Sequence, residues 1–166
     1  MFAKTFRNTL IASTLVVAGA ALATPAKADP VNLGGTVADT SAVTSTATAA
    51  ASTLNLYGAG TAQTNVVVKV ADMALITNNT TGVTLTATGD AGLTNGTSTL
   101  PYQVLIVADA AAAPADTAFS STIDSKSVTD FSAGAAARDL YIEYDAPALL
   151  DPGAYTGVIT VSVAAL

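Results

Sequence analysis

Apolar and polar residues alternate with a period of two along much of this chain. Val83, Leu85 and Ala87 fall on one side of Thr84, Thr86 and Thr88, the pattern of a strand with one buried and one wetted face. Val66, Val68 and Val70 alternate in the same way with Asn65, Val67 and Lys69. So do Leu140, Ile142 and Tyr144 with Tyr141 and Glu143, and Ile159, Val161 and Val163 with Val158, Thr160 and Ser162. Leu100 to Val107 is apolar almost throughout, which predicts a central strand covered on both faces. Near the front, Val31, Leu33, Gly35 and Val37 share one parity. Turn-forming clusters separate these runs: Tyr57–Gly58–Ala59–Gly60, Asn78 to Gly82, Gly89 to Gly92, Asn95–Gly96 and Asp151–Pro152–Gly153. Asp109 to Ala118 is rich in alanine but broken by Pro114, so a surface loop with one helical turn is expected. Thr40 to Ser52 consists of small residues and reads equally as a weak strand or a linker. Many short strands and no long 3.6-residue stripe predict an all-β fold, a sandwich or barrel rather than βαβ units.

The first 28 residues follow a different logic. Lys4 and Arg7 precede a mostly apolar run from Thr9 to Ala23, and Ala26–Lys27–Ala28 has the small-x-small form of a cleavage site. This is the three-part layout of a secretory signal peptide. The apolar run is short of the about 20 residues a spanning helix needs, so no membrane span is expected after processing at Asp29. The expected division is 1–28 signal peptide, 29–52 N-terminal strand candidate and small-residue linker, and 53–166 β-domain closing on its final strand. Removal of the signal leaves Lys69, Lys126 and Arg138 against all 12 acidic residues, a net charge of −9. That balance disfavours nucleic acid and anionic lipid, both of which need clustered basic side chains. The chain has no cysteine, so an exported domain of this kind rests on its core and ladders alone.

Catalytic chemistry is thinly supplied. There is no His, Cys or Trp, and Glu143 is the one glutamate behind the signal. The usual general bases and nucleophiles are therefore missing. Ser125, Lys126 and Ser127 look like a solvated loop. Asp139, Glu143 and Asp145 read as solvated strand-edge charge. Glu143 and Asp145, on one strand face, are a weak candidate for a shared cation. Asn78–Asn79–Thr80–Thr81 and Asn95–Gly96–Thr97 match a glycosylation sequon, but turn chemistry accounts for both stretches. No enzyme, cofactor or metal is expected.

What remains is an interaction signal. Val31, Leu33, Gly35 and Val37 form an alternating segment at the mature N-terminus. It is either the first strand of its own domain or a strand offered to a neighbour, whose open sheet edge it would complete. Three stretches carry a resemblance: Leu100–Pro101–Tyr102–Gln103–Val104–Leu105 with Ala108–Asp109, then Leu140–Tyr141–Ile142–Glu143–Tyr144, then Leu150 to Val161. Together they resemble the spore coat U family, whose members are similar to pilins of the archaic chaperone–usher type. Gly157 stands where that family commonly has Asp, and the family's frequent cysteines are absent. The resemblance implies an immunoglobulin-like β-sandwich, one strand short, completed by a donor strand. It implies a secreted subunit of an extracellular filament or pilus at the cell surface. The partners implied are copies of itself or related pilus subunits, a periplasmic chaperone and an outer-membrane usher. The alternative is a monomeric secreted β-sandwich that binds a carbohydrate or surface ligand through Tyr57, Tyr102, Tyr141, Tyr144 or Tyr155.

Overall fold

The computed structural model of the protein describes residues 32–56 and 60–166. The expected signal peptide, Val31 and the Tyr57–Gly58–Ala59 part of one turn lie outside the described residues. Residues 32–36 carry no regular secondary structure, and Leu33 and Gly35 are exposed.

From Val37 to Leu166 the chain forms one compact unit. Its strands are β1 (Ala42–Ala47), β2 (Gln63–Ile76), β3 (Val83–Gly89), β4 (Leu93–Thr94), β5 (Thr99–Leu100), β6 (Tyr102–Ala108), β7 (Ile123–Val128), β8 (Ala135–Ala146) and β9 (Ile159–Ala165). The non-strand elements among the described residues are two short 3-10 turns, Ala49–Ser52 and Asp116–Ala118. The fold is all-β, and its strands pair antiparallel. Four strands in the order β1-β2-β8-β6 form one sheet, three in the order β7-β3-β9 form a second, and β4-β5 form a small hairpin.

The two larger sheets bury their apolar faces in a common core. β3 contributes Val83, Leu85 and Ala87, each fully buried, as the alternation predicts. β6 supplies Tyr102, Val104 and Ile106, and β8 supplies Leu140, Ile142, Tyr144 and Ala146. In β2 the inward set changes parity. Val66 and Val68 pack on the core, but beyond a register shift between Lys69 and Ala71 the inward residues are Ala71, Met73 and Leu75. A bulge inserts one residue and so moves every later side chain to the opposite face. Gly89 leaves room for an aromatic ring, since a Cβ there would come within 2.7 Å of the Tyr102 ring.

Of the two readings left open for Thr40 to Ser52, the strand is the one found: residues 42–47 form β1, which pairs with β2 from Ala42↔Ile76 to Ala47↔Ala71. Other expectations need correction. The compact unit begins at Val37, well before residue 53. Leu100 to Val107 is not a central strand. Pro101 lacks the N–H a ladder needs, so the run splits into β5 and β6, and β6 lies at the edge of its sheet. Its apolar character reflects a covered edge: the Val104 N–H donates to the Ser121 carbonyl at 2.9 Å and the Ile106 N–H to Asp124 Oδ2 at 2.8 Å. Ser125, Lys126 and Ser127 belong to β7, not to a loop, because each pairs with β3. Asp139 is not solvated edge charge. β8 is a central strand, and Asp139 is 1% exposed.

Candidate functional site: a cleft between two open strand edges

Among the described residues β1 pairs with β2 alone and β9 with β3 alone. Their free edges approach each other at one side of the core. Four strands there face three, and a cleft of about 290 Å³ opens between β1 and β9. Its floor is the inner face of the larger sheet, at Val70, Ala71, Leu140 and Ile142. One wall is β1, at Ser45 and Ala47, and the other is β9, at Ile159 and Val161. Leu54, Leu93, Tyr102 and Gly157 line its far end. Ile159, Val161 and Val163 pack against the core but are only half-buried, whereas Val83, Leu85 and Ala87 on the neighbouring β3 are fully buried. The apolar side of β9 faces the core as its alternation predicts, and the missing cover on that side is the cleft.

Neither edge carries the usual protection. Exposed edges are commonly blunted by Lys, Pro or an inward charge. β1 reads Ala-Val-Thr-Ser-Thr-Ala and β9 reads Ile-Thr-Val-Ser-Val-Ala-Ala, with no charge, Pro or Gly in either.

A polar clamp fixes the start of β9. Asp90 Oδ2 accepts the Val158 N–H at 2.8 Å, and Asp90 Oδ1 accepts the Tyr102 hydroxyl at 2.8 Å and the Gly92 N–H at 3.2 Å. The Asp90 N–H in turn donates to the Val158 carbonyl at 3.0 Å. Burial alone would raise the pKa of Asp90, but the Val158, Tyr102 and Gly92 donors outweigh it and hold the carboxyl below its usual range. The Tyr102 hydroxyl moves upward, chiefly through burial and then through its bond to Asp90. Sequence reading missed this clamp, because Asp90 looks like one residue of a Gly-Asp-Ala-Gly turn and its partners lie 12 and 68 positions away.

The donor-strand candidates are accessible. Leu33 is 93% and Val37 86% exposed, and a Cβ on Gly35 would meet nothing within 4 Å. Val31 lies outside the described residues.

The carboxylates are arranged otherwise than the sequence implies. Of the Glu143 and Asp145 pair, Asp145 Oδ1 accepts the Asn65 N–H at 2.7 Å, so that oxygen is already engaged within the fold. The Glu143 pKa is raised by burial and then by Asp145 and Asp116. Oxygens of Asp72, Asp109 and Asp139 do lie within 4.8 Å of one another. The cation among them is Lys69, whose Nζ is 2.7 Å from Asp72 and 2.8 Å from Asp139. That contact satisfies an Asp139 oxygen that otherwise has no hydrogen-bond partner. Asp139 and then Asp72 push the Lys69 pKa upward, so the ammonium stays charged. This is a structural ion pair on the outer face of the larger sheet. At the two sequons, Asn79 Oδ1 accepts the Thr81 N–H and Asn95 Oδ1 accepts the Thr97 and Ser98 N–H groups, which is the turn chemistry expected. Tyr102, Tyr141 and Tyr144 are buried and Tyr155 is half-buried, so the described tyrosines form no exposed stacking face. No helix among the described residues is long and apolar enough to cross a membrane.

No protein-family model matches the chain, and no curated protein matches it.

Proposed function

We propose that this protein is an exported structural subunit of an extracellular filament or pilus, and that it polymerises by donor-strand exchange. The segment Val31 to Val37 of one copy enters the β1/β9 cleft of the next. The observation that carries this reading is an apolar cleft between two unguarded strand edges. An inserted strand satisfies both rows of backbone groups and covers the floor with alternate side chains. The domain is then an immunoglobulin-like sandwich completed in trans, in keeping with the resemblance to spore coat U and archaic chaperone–usher pilins. Before assembly a chaperone covers the same cleft, and an usher at the outer membrane exchanges it for a neighbour.

Length and phase agree with this reading. β9 has seven residues, and so does the segment from Val31 to Val37. At about 3.3 Å per residue each extends about 23 Å. Laid antiparallel over its full length, the donor sets Val37 opposite Ile159, Gly35 opposite Val161 and Leu33 opposite Val163. Directly opposed residues share a sheet face, so the donor's apolar parity falls on the inward parity of β9. Gly35 then lies opposite Val161, a lining residue of the cleft, where a larger side chain overfills it.

Deleting residues 29–38 is expected to abolish filaments seen by electron microscopy while leaving a subunit that takes up a peptide of that sequence. Gly35→Leu in the peptide is expected to weaken uptake by about 1–3 kcal/mol, as overpacking does. A full-length protein that stays monomeric at high concentration and binds no such peptide overturns the reading.

A further inference from the structure

A donor segment on the same chain as its acceptor cleft competes for that cleft with every other copy. Residues 38–41 alone separate Val37 from β1, and β1 is one wall of the cleft. A tether this short presents the segment to its own cleft at an effective concentration on the order of millimolar, unless its geometry prevents closure. Growth by donation to a neighbour therefore needs a device that keeps the segment out of its own cleft.

Chain continuity fixes how self-insertion would run. The segment would fold back along the free edge of β1 as an antiparallel hairpin. Val43 packs on the core, and Ser45 and Ala47 line the cleft. Directly opposed residues share a sheet face, so bringing Val37, Gly35 and Leu33 to that side sets Val37 opposite Ser41 or Val43. The turn is then residues 38–40 or 38–42, and hairpin loops of either length are common. Both take Ala38 and Thr40 out of line with β1.

Residues 38–41 are held against that reversal. Ala42 pairs with Ile76, so the same register sets Ser41 opposite Thr77 and Thr40 opposite Asn78. The contacts keep to it. The Ser41 and Thr77 hydroxyls lie 2.8 Å apart. The Asn78 side chain donates to the Ala38 carbonyl at 2.6 Å and accepts the Thr40 N–H at 3.1 Å. A carbonyl and the N–H two residues on, bonded to one side, are what an extended chain offers an adjacent strand. The carboxamide takes the place of that strand beyond the end of β2. Asp39 Oδ1 accepts the Ser41 N–H at 2.9 Å and the Ser41 hydroxyl at 2.7 Å, so a hairpin closing on Ser41 finds its N–H already taken.

Resting on the strand-donation reading, we infer that Asn78 is a specificity residue for assembly. Its carboxamide keeps residues 38–41 in line with β1, so that the segment Val31 to Val37 fills the cleft of a second copy and not its own.

The full-length chain with Asn78→Ala tests this, and Asn78 is exposed, so its loss leaves the core untouched. Uptake of a labelled peptide Asp29–Ala38 by dilute subunit is expected to fall about tenfold or more in the variant, because its freed segment competes from within. Association of intact subunits is expected to fall with it. Residues 29–36 lie outside the compact unit. Their removal from the variant is expected to restore uptake to within about twofold of the parent, and their removal from the parent to change uptake no more than that. Unchanged uptake in Asn78→Ala overturns the inference. So does weak uptake that the deletion fails to restore, since Asn78 then shapes the cleft itself. A parent whose uptake rises about tenfold on the deletion is already self-filled, which overturns it as well. In all three outcomes the cleft still accepts the peptide and strand acceptance stands. A parent that takes up no peptide, with or without residues 29–36, overturns strand donation and this inference with it.

Discussion

The two sides of this core end differently. On one, β6 is an edge strand whose N–H groups are taken up by the Ser121 carbonyl and the Asp124 carboxylate, and the β7 edge beyond carries Asp124 and Lys126. On the other, β1 and β9 carry only Ala, Val, Ile, Ser and Thr; the inward residues of β9 stop half-buried over a cleft, and Ser45 and Ala47 of β1, which line it, are exposed. The same chain thus has the means to close and charge a sheet edge and applies them at one corner only. Unguarded edges beside exposed apolar surface are a liability in a lone domain. Their confinement to a single corner is what a strand-accepting site requires.

The largest expected contrast is in the core. Leu85, wholly buried on the central strand β3, is expected to cost about 2–5 kcal/mol on change to Ala. Ile159→Ala, on the open rim, is expected to cost about 1 kcal/mol in the free subunit. Urea unfolding of both variants measures the gap, and equal losses would mean that the rim is as well packed as the core. Next comes the closed corner itself. Asp124→Ala strands the Ile106 N–H and is expected to cost about 1–3 kcal/mol, with faster amide exchange along β6 than along β8. A variant as stable as the parent would show that the β6 edge needs no seal.

Loosening the clamp at the start of β9 has a smaller effect. Asp90→Asn weakens the bonds to Val158 and Tyr102 and is expected to cost about 1 kcal/mol. The clamp also predicts a pH dependence. The folded pKa of Asp90 lies below its ordinary value of 3.8, so its contribution is full above that value and is lost as pH falls through the folded pKa. Acid unfolding curves of the parent and the Asn variant are expected to converge at the acid end. Curves that stay parallel there would separate Asp90 from the acid response.

Much of the fold was legible from alternation, and the gaps in that reading have physical causes. β3, β8 and β9 show apolar–polar contrast at every second residue and were readable with their inward faces. β1 was not, since Ala, Thr and Ser offer no contrast between faces. The β2 bulge leaves no mark in composition, so the inward series was followed to Val70 and lost at Ala71. β6 resembled a central strand because its edge is covered by residues 121–124, which only the folded chain brings there. Val31, Leu33, Gly35 and Val37 stood out as a segment, but the cleft opposite them arises from strand order. Asp139 was misread because its partner, Lys69, comes from a neighbouring strand.

The most direct test of strand acceptance is residue-resolved hydrogen exchange of the β9 amides, with and without excess peptide Asp29–Ala38. In the free subunit the amides directed away from β3 should exchange rapidly. With peptide at 100 times its dissociation constant, the native state gains about 2.7 kcal/mol, and those amides together with the outward amides of β1 should slow by roughly two orders of magnitude. Protection that appears on β6 and β7 instead, or nowhere, would contradict the account.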